Sequence, residues 1–220
     1  MSLMVFLMTC YHTHMTPRAI SQAIAHLKLD PAFAPYVAKL PRPRFTTPGE
    51  PFEALVRSII FQQLSGKAAG TILKRFHTLF KDNKPTPKAV LKVTDVKFKN
   101  CGISGQKMGY LRDLASKFLD KTIDPTHFHE MTDDAIRAHL ITVKGIGRWT
   151  ADMFLMFTLH RPDILPTGDL AIQKAIQRVY KLKSKPDVKK MEKIALKWQP
   201  YRTIASWYLW RTADTGEGDW

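Results

Sequence analysis

Cysteine is almost missing from this chain of 220 residues: Cys10 and Cys101 are its only two. Two thiols so far apart supply neither a zinc site of their own nor a disulfide framework, so a reducing, intracellular setting is the expectation. Negative charge is scarce as well. Asp and Glu total 19 against 34 Lys and Arg, a formal charge of +15, which points to a polyanionic partner and to nucleic acid before membrane. No apolar run approaches the ~20 residues that a spanning helix needs. The opening MSLMVFLMTCYHTHM is apolar over its first part, yet it has no basic n-region and no small-residue cleavage site. It reads as part of a poorly structured segment, 1–16, and not as a signal peptide. Repeats of fixed period and low-complexity tracts are also lacking.

What the chain does have is apolar residues, 45% of the total, recurring at spacings of three and four. That periodicity, with no β alternation long enough to compete, predicts an all-α protein of about ten short helices. They fall at 17–28, 50–64, 67–81, 105–119, 132–141, 148–160, 169–181, 187–197 and 201–212. Proline-rich joints at 40–51, 83–87, 161–168 and 184–187 end one helix or open the next. The joint at 40–51 separates an N-terminal helical piece from the rest, or else the chain forms one unit, 17–212, whose membership does not follow chain order. The polar end, 213–220, is expected to fray.

The stretch VKGIGRWTADMF at 143–154 concentrates the chemistry. Gly145 and Gly147 let the backbone turn sharply around Ile146, and the apolar run after them predicts a buried helix. A helix N-terminus behind such a turn presents unpaired N–H groups and the positive end of the dipole, which suits a phosphate oxygen, with Lys144 and Arg148 beside it. Taken alone, G-x-G is no more than a turn. A second feature follows in LPTGDLAIQKAIQRVY, where Ile172, Ala175, Ile176 and Val179 form a core-facing stripe and Asp169 stands at the helix N-terminus, 22 residues after Gly147. An N-cap carboxylate is ordinary helix chemistry, and the same amide donors and dipole suit a negative charge held ready for use.

The order apolar-Lys-Gly-Ile-Gly-Arg-Trp-Thr-Ala resembles the helix-hairpin-helix DNA glycosylases, in particular the 3-methyladenine DNA glycosylase II family. Five landmarks in order between 17 and 212 carry that resemblance: QQLSGKAA, the glycine turn near 102, KGIGRWTA, LPTGDLAI and YRTIASWYLW. It implies two helical subdomains with a cleft between them, a hairpin at 143–151 and a catalytic loop at 165–170. It also implies phosphate contacts from Lys144, Gly145, Ile146, Gly147, Arg148 and Thr150, with a monovalent cation, Na or K, on the backbone carbonyls of Val143 and Ile146. Asp169 becomes the catalytic carboxylate. It would face the developing oxocarbenium sugar and orient or deprotonate water, while an alkylated purine leaves on its own positive charge. Gly168 stands where the family often has a second acidic residue.

Trp149 occupies the position of the lysine that the strand-cutting relatives use as Schiff-base nucleophile, so a monofunctional enzyme is implied. No cysteine follows residue 101, and an iron–sulfur cluster of the endonuclease III kind cannot be built. A flipped base needs aromatic walls, and the resemblance assigns them to Trp149 and Trp210, with Met153 and Tyr208 beside them, while Trp207 and Trp198 read as core. Gln63, Leu64 or Ser65 would enter the duplex. Ser104 and Lys107 either contact a second phosphate or merely start an ordinary helix. His-x-His at 12–14 and at 127–129 lacks a partner cluster at ligand spacing and is assigned to surface or loop.

The expected protein is thus a monomer without a required cofactor, working on double-stranded DNA with alkylated bases in a prokaryotic cytoplasm or nucleoid or in a nucleus. A non-catalytic DNA-binding module, or a glycosylase for a neutral base such as uracil, are the alternatives.

Overall fold

A computed structural model describes residues 15–46 and 49–213. Apart from Met15, Thr16 and Ala213, the two expected tails lie outside the described residues, as do His12 and His14. Every regular element among the described residues is helical. In chain order these are α1 Pro17–Leu27, α2 Ala34–Lys39, α3 Pro51–Phe61, α4 Gly66–His77, α5 Pro87–Leu91 and α6 Asp95–Cys101. Then follow α7 Gly105–Leu119, α8 Asp133–Leu140, α9 Arg148–Phe157, α10 Leu170–Val179, α11 Val188–Ala195 and α12 Arg202–Ala213. Short 3-10 turns sit at Lys81–Asn83, Pro125–His127 and Leu196–Trp198.

Local chemistry sets these boundaries. Pro17, Pro51 and Pro87 open α1, α3 and α5 at the position where a missing N–H costs nothing. Side chains of Thr16, Ser65, Thr86, Thr94, Ser104, Thr132, Asp169 and Asp187 cap α1, α4, α5, α6, α7, α8, α10 and α11. Each such cap contributes about 1 kcal/mol. Gly102, at φ +92°, stops α6 in the left-handed conformation that glycine adopts freely.

The chain divides into two compact units. One takes the described residues of Met1–Pro48 together with those of Leu155–Trp220, and the other is Gly49–Phe154. Membership therefore does not follow chain order, and the second boundary falls inside α9. The core of the two-part unit surrounds Trp198, with Phe33, Leu27, Ile176 and Tyr208 all at most 1% exposed. Asp30 lies inside that core. It accepts hydrogen bonds from Tyr180 and from the Trp198 indole (3.1 Å) and pairs with Lys197 at 3.1 Å.

In the unit 49–154, α3, α4, α6 and α7 bury Leu55, Ile59, Phe76, Phe98, Leu111 and Leu114 completely. Cys101, the only cysteine among the described residues, is buried there, and burial pushes its thiol pKa up although Arg75 draws it down.

Candidate active site

The hairpin leaves α8 by a turn in which the Val143 N–H reaches the Leu140 carbonyl at 3.1 Å. Val143 and Ile146 are 1% and 4% exposed and anchor it from inside, while Lys144, Gly145, Gly147 and Arg148 face solvent. The two glycines have different reasons. Gly145 has φ +84°, and a Cβ there would stand 2.2 Å from Cδ2 of Tyr110, so conformation and space both demand glycine. At Gly147 a Cβ would meet nothing within 4 Å. Its side of the turn is open to solvent, at the N-terminal end of α9.

Two side chains from distant sequence hold the hairpin main chain. Asp113 on α7 accepts the Lys144 N–H at 2.8 Å, and the Gln62 amide donates to the Gly145 carbonyl at 2.7 Å. Burial pushes Asp113 up, but the Lys144 N–H and the Lys117 ammonium at 2.9 Å outweigh it, and the carboxyl titrates below its ordinary range. The Val143 carbonyl accepts the Ile146 N–H at 3.0 Å.

Along α9 the residues divide by face. Trp149 is 46% exposed and Met153 half-buried, whereas Thr150, expected at a phosphate, is only 6% exposed. Asp152 is 1% exposed and accepts from the Arg137 guanidinium at 2.8 Å, while Arg137 also binds Asp134. Burial raises the Asp152 pKa, and Arg137 restrains the rise. This ion pair ties α9 to α8.

The turn after α3 begins at Gln62, which leaves helical conformation at ψ 131°. Gln63 takes φ +58°, a left-handed conformation that costs a residue with a Cβ about 1–2 kcal/mol. Leu64 is 40% exposed, and Ser65 is occupied as the cap of α4, accepting from Ala68. Beyond it an open groove of about 490 Å³ is lined by Ser65, Lys67, Thr71, Arg75 and Gly102, among others. Ser104 caps α7, and Lys107 points inward. Its ammonium donates to the carbonyls of Ile60 at 2.8 Å and Gln62 at 2.7 Å, and burial lowers its pKa. A lysine expected at phosphate thus holds the end of α3.

Asp169 is 8% exposed and caps α10, with Oδ1 accepting the Ile172 N–H at 2.9 Å. Its loop is fastened to α12. Arg202 grips Asp163 with two bonds of 2.7 and 2.9 Å, and the buried Thr203 hydroxyl takes the Ile164 N–H at 3.0 Å. Gln173 closes the loop by donating to the Thr167 carbonyl at 2.8 Å. Trp210 is half-buried, its ring 5.9 Å from Phe157. Tyr208 departs from expectation. It is 1% exposed and packs edge-on to Phe33 at 6.3 Å, so it is core and not a pocket wall. Trp198 is core as expected, whereas Trp207 is only half-buried, with the Arg211 guanidinium 5.0 Å from its ring.

His127 and His129 pair with Glu130, and no group of three or more His, Cys, Asp or Glu among the described residues could hold a metal.

A glycine hairpin thus opens one helix, and a fastened loop caps the next with aspartate. The chain belongs to the HhH-GPD superfamily of base excision DNA repair proteins, whose family model matches residues 56–200. It is 35% identical over 164 residues to the alkylbase DNA glycosidase-like protein mag2 of Schizosaccharomyces pombe, covering 73% of this chain and 77% of that one. It is 33% identical over 166 residues to DNA-3-methyladenine glycosylase 1 of the same yeast, covering 74% and 73%. Among solved structures it is similar to a DNA-3-methyladenine glycosidase from Bacillus halodurans, with TM-score 0.81, 30% identity and coverage of 91% and 90%. The 3-methyladenine DNA glycosylase of S. pombe in complex with abasic DNA gives TM-score 0.75 and 31% identity, covering 86% and 95%.

Proposed function

We propose that this protein is a monofunctional, monomeric DNA glycosylase that removes alkylated purines, 3-methyladenine among them, from double-stranded DNA. The observation that carries the reading is Asp169: a nearly buried carboxylate, aimed by the Ile172 N–H, in a loop fastened to α12 by Arg202 and Thr203. A buried carboxylate placed by fixed donors acts with little reorganisation on a cationic transition state.

In the proposed reaction the open side of the hairpin at Gly147 takes a phosphate on backbone amides, with Lys144 and Arg148 adding charge. A monovalent cation on the Val143 and Ile146 carbonyls would add positive charge there. The turn at 63–64 enters the duplex, and the base leaves the stack at a cost of a few kcal/mol. Trp149 and Trp210 are the aromatic faces, which favour a cationic base over a neutral one. The C1′–N bond breaks with its electron pair going to the base, which becomes neutral as it departs. Water attacks C1′ beside the Asp169 carboxylate and gives up its proton there, leaving an abasic sugar. Trp149 carries no amine, so no Schiff base forms at that position.

Replacing Asp169 by Asn should lower single-turnover base release from methylated DNA by about 10²–10⁴-fold, with DNA affinity unchanged. Chromatography of released bases measures this, and a variant as fast as the parent removes the mechanism. Borohydride added with abasic DNA should trap no covalent adduct.

A further inference from the structure

Lys107 lies in the first turn of α7, where a DNA-binding protein has every use for a solvent-facing ammonium, and yet its Nζ is turned inward. It donates to Ile60 at 2.8 Å and Gln62 at 2.7 Å, two carbonyls at the end of α3 that helix geometry leaves without partners. The next residue, Gln63, is held at φ +58°, and Leu64 after it is exposed. A left-handed residue with a Cβ persists where its surroundings fix it, and Lys107 fixes the peptide immediately before it.

The same helix also fixes the hairpin. Tyr110 lies against Gly145, leaving no room for a Cβ, and Asp113 takes the Lys144 N–H at 2.8 Å. Lys107, Tyr110 and Asp113 are spaced by three along α7, so successive turns of one helix hold the 62–65 turn and the 144–145 peptide. Gln62 closes the arrangement, since its carbonyl receives Lys107 while its side-chain amide reaches Gly145 at 2.7 Å.

We infer that Lys107 and Gln62 are positioning residues that join the 62–65 turn and the phosphate-binding hairpin through α7, so that the turn meets the duplex already in its inserting shape. This rests on the proposed function for the turn's entry into DNA, but concerns the shape of the turn before DNA arrives. Gripping the phosphate fixes the depth at which Gln63 and Leu64 arrive, and inserting them needs no further ordering of backbone.

Two measurements test it. In duplex DNA carrying a stable abasic analogue opposite 2-aminopurine, the parent protein should raise the fluorescence by unstacking the opposite base, and Leu64→Ala should not. Lys107→Met should lose that response while keeping Kd for the same duplex within about threefold, Gln62→Ala should lose it as well, and Lys107→Arg, which can still reach both carbonyls, should recover it. Base release should fall at least tenfold for Lys107→Met on a paired lesion and change little on single-stranded DNA, which needs no flipping. A full fluorescence response in Lys107→Met overturns the inference, as does a response absent from the parent. Equal losses on paired and single-stranded DNA, or a loss that follows only a lowered melting temperature, overturn it too. A parent protein that raises fluorescence but releases no base would defeat the glycosylase reading and leave the positioning role standing.

Discussion

Gly145 and Gly147 look alike in the sequence and differ in what they do. Gly145→Ala must place a Cβ in the Tyr110 ring at a positive φ, so it should unfold more readily as well as bind DNA more weakly. Gly147→Ala meets open space. It should leave the melting temperature where it was and weaken binding to any duplex about tenfold, the loss of one charge-assisted contact. Calorimetry beside a binding titration separates the two. Asp113 offers a pH test. Its folded pKa is depressed, so its stabilising contribution is present above the ordinary carboxylate value of about 4 and is lost as pH falls through the lower folded value. Melting temperature should fall less between pH 5 and pH 3 in Asp113→Asn than in the parent. Neither Asp113 nor Gln62 was visible as a hairpin ligand in sequence, because their targets lie 31 and 83 positions away and no local pattern marks them.

Helix α9 depends on the Arg137–Asp152 pair, and there the two partners are unequal to lose. Arg137→Leu strands a carboxylate that is 1% exposed and should cost about 3–5 kcal/mol in denaturant unfolding, most of it recovered when Asp152 is also made Leu. Strongly patterned helices are legible in the sequence. The expected 105–119 matches α7, because Ser104 caps one end and the apolar period is sustained, whereas 50–64 ran past the true end at Phe61, where Gln62 leaves the helix. The short α2, α5 and α6, of six, five and seven residues, are not legible there because they span too few turns to show a period. Tyr208 is hard to place from sequence for a related reason. The helix YRTIASWYLW is apolar on most of its circumference, and tertiary packing, Phe33 against Tyr208 included, decides which aromatic ring turns inward.

The charge of +15 is spread unevenly over the chain. Residues 181–197 carry seven lysines against two acidic side chains, a third of the net charge, and all seven lysines are exposed. Affinity for undamaged duplex should therefore fall steeply with salt, and Lys189→Gln, Lys190→Gln and Lys193→Gln together should flatten the logarithmic slope by about 0.9 for each lysine that had met a phosphate. Asp169→Asn should leave that slope alone. The split of the chain was less legible than its charge, since the return of the segment after residue 155 to the N-terminal helices depends on packing between residues such as Phe33 and Trp198 that stand far apart in sequence. Cys101 has a consequence for an enzyme of the proposed kind. The electrophiles that methylate purines also attack thiolates, and Cys101 is 4% exposed with a raised pKa, which keeps it protonated and out of their reach. The folded unit 49–154 therefore offers such reagents no ready thiol, and self-damage there must wait for unfolding.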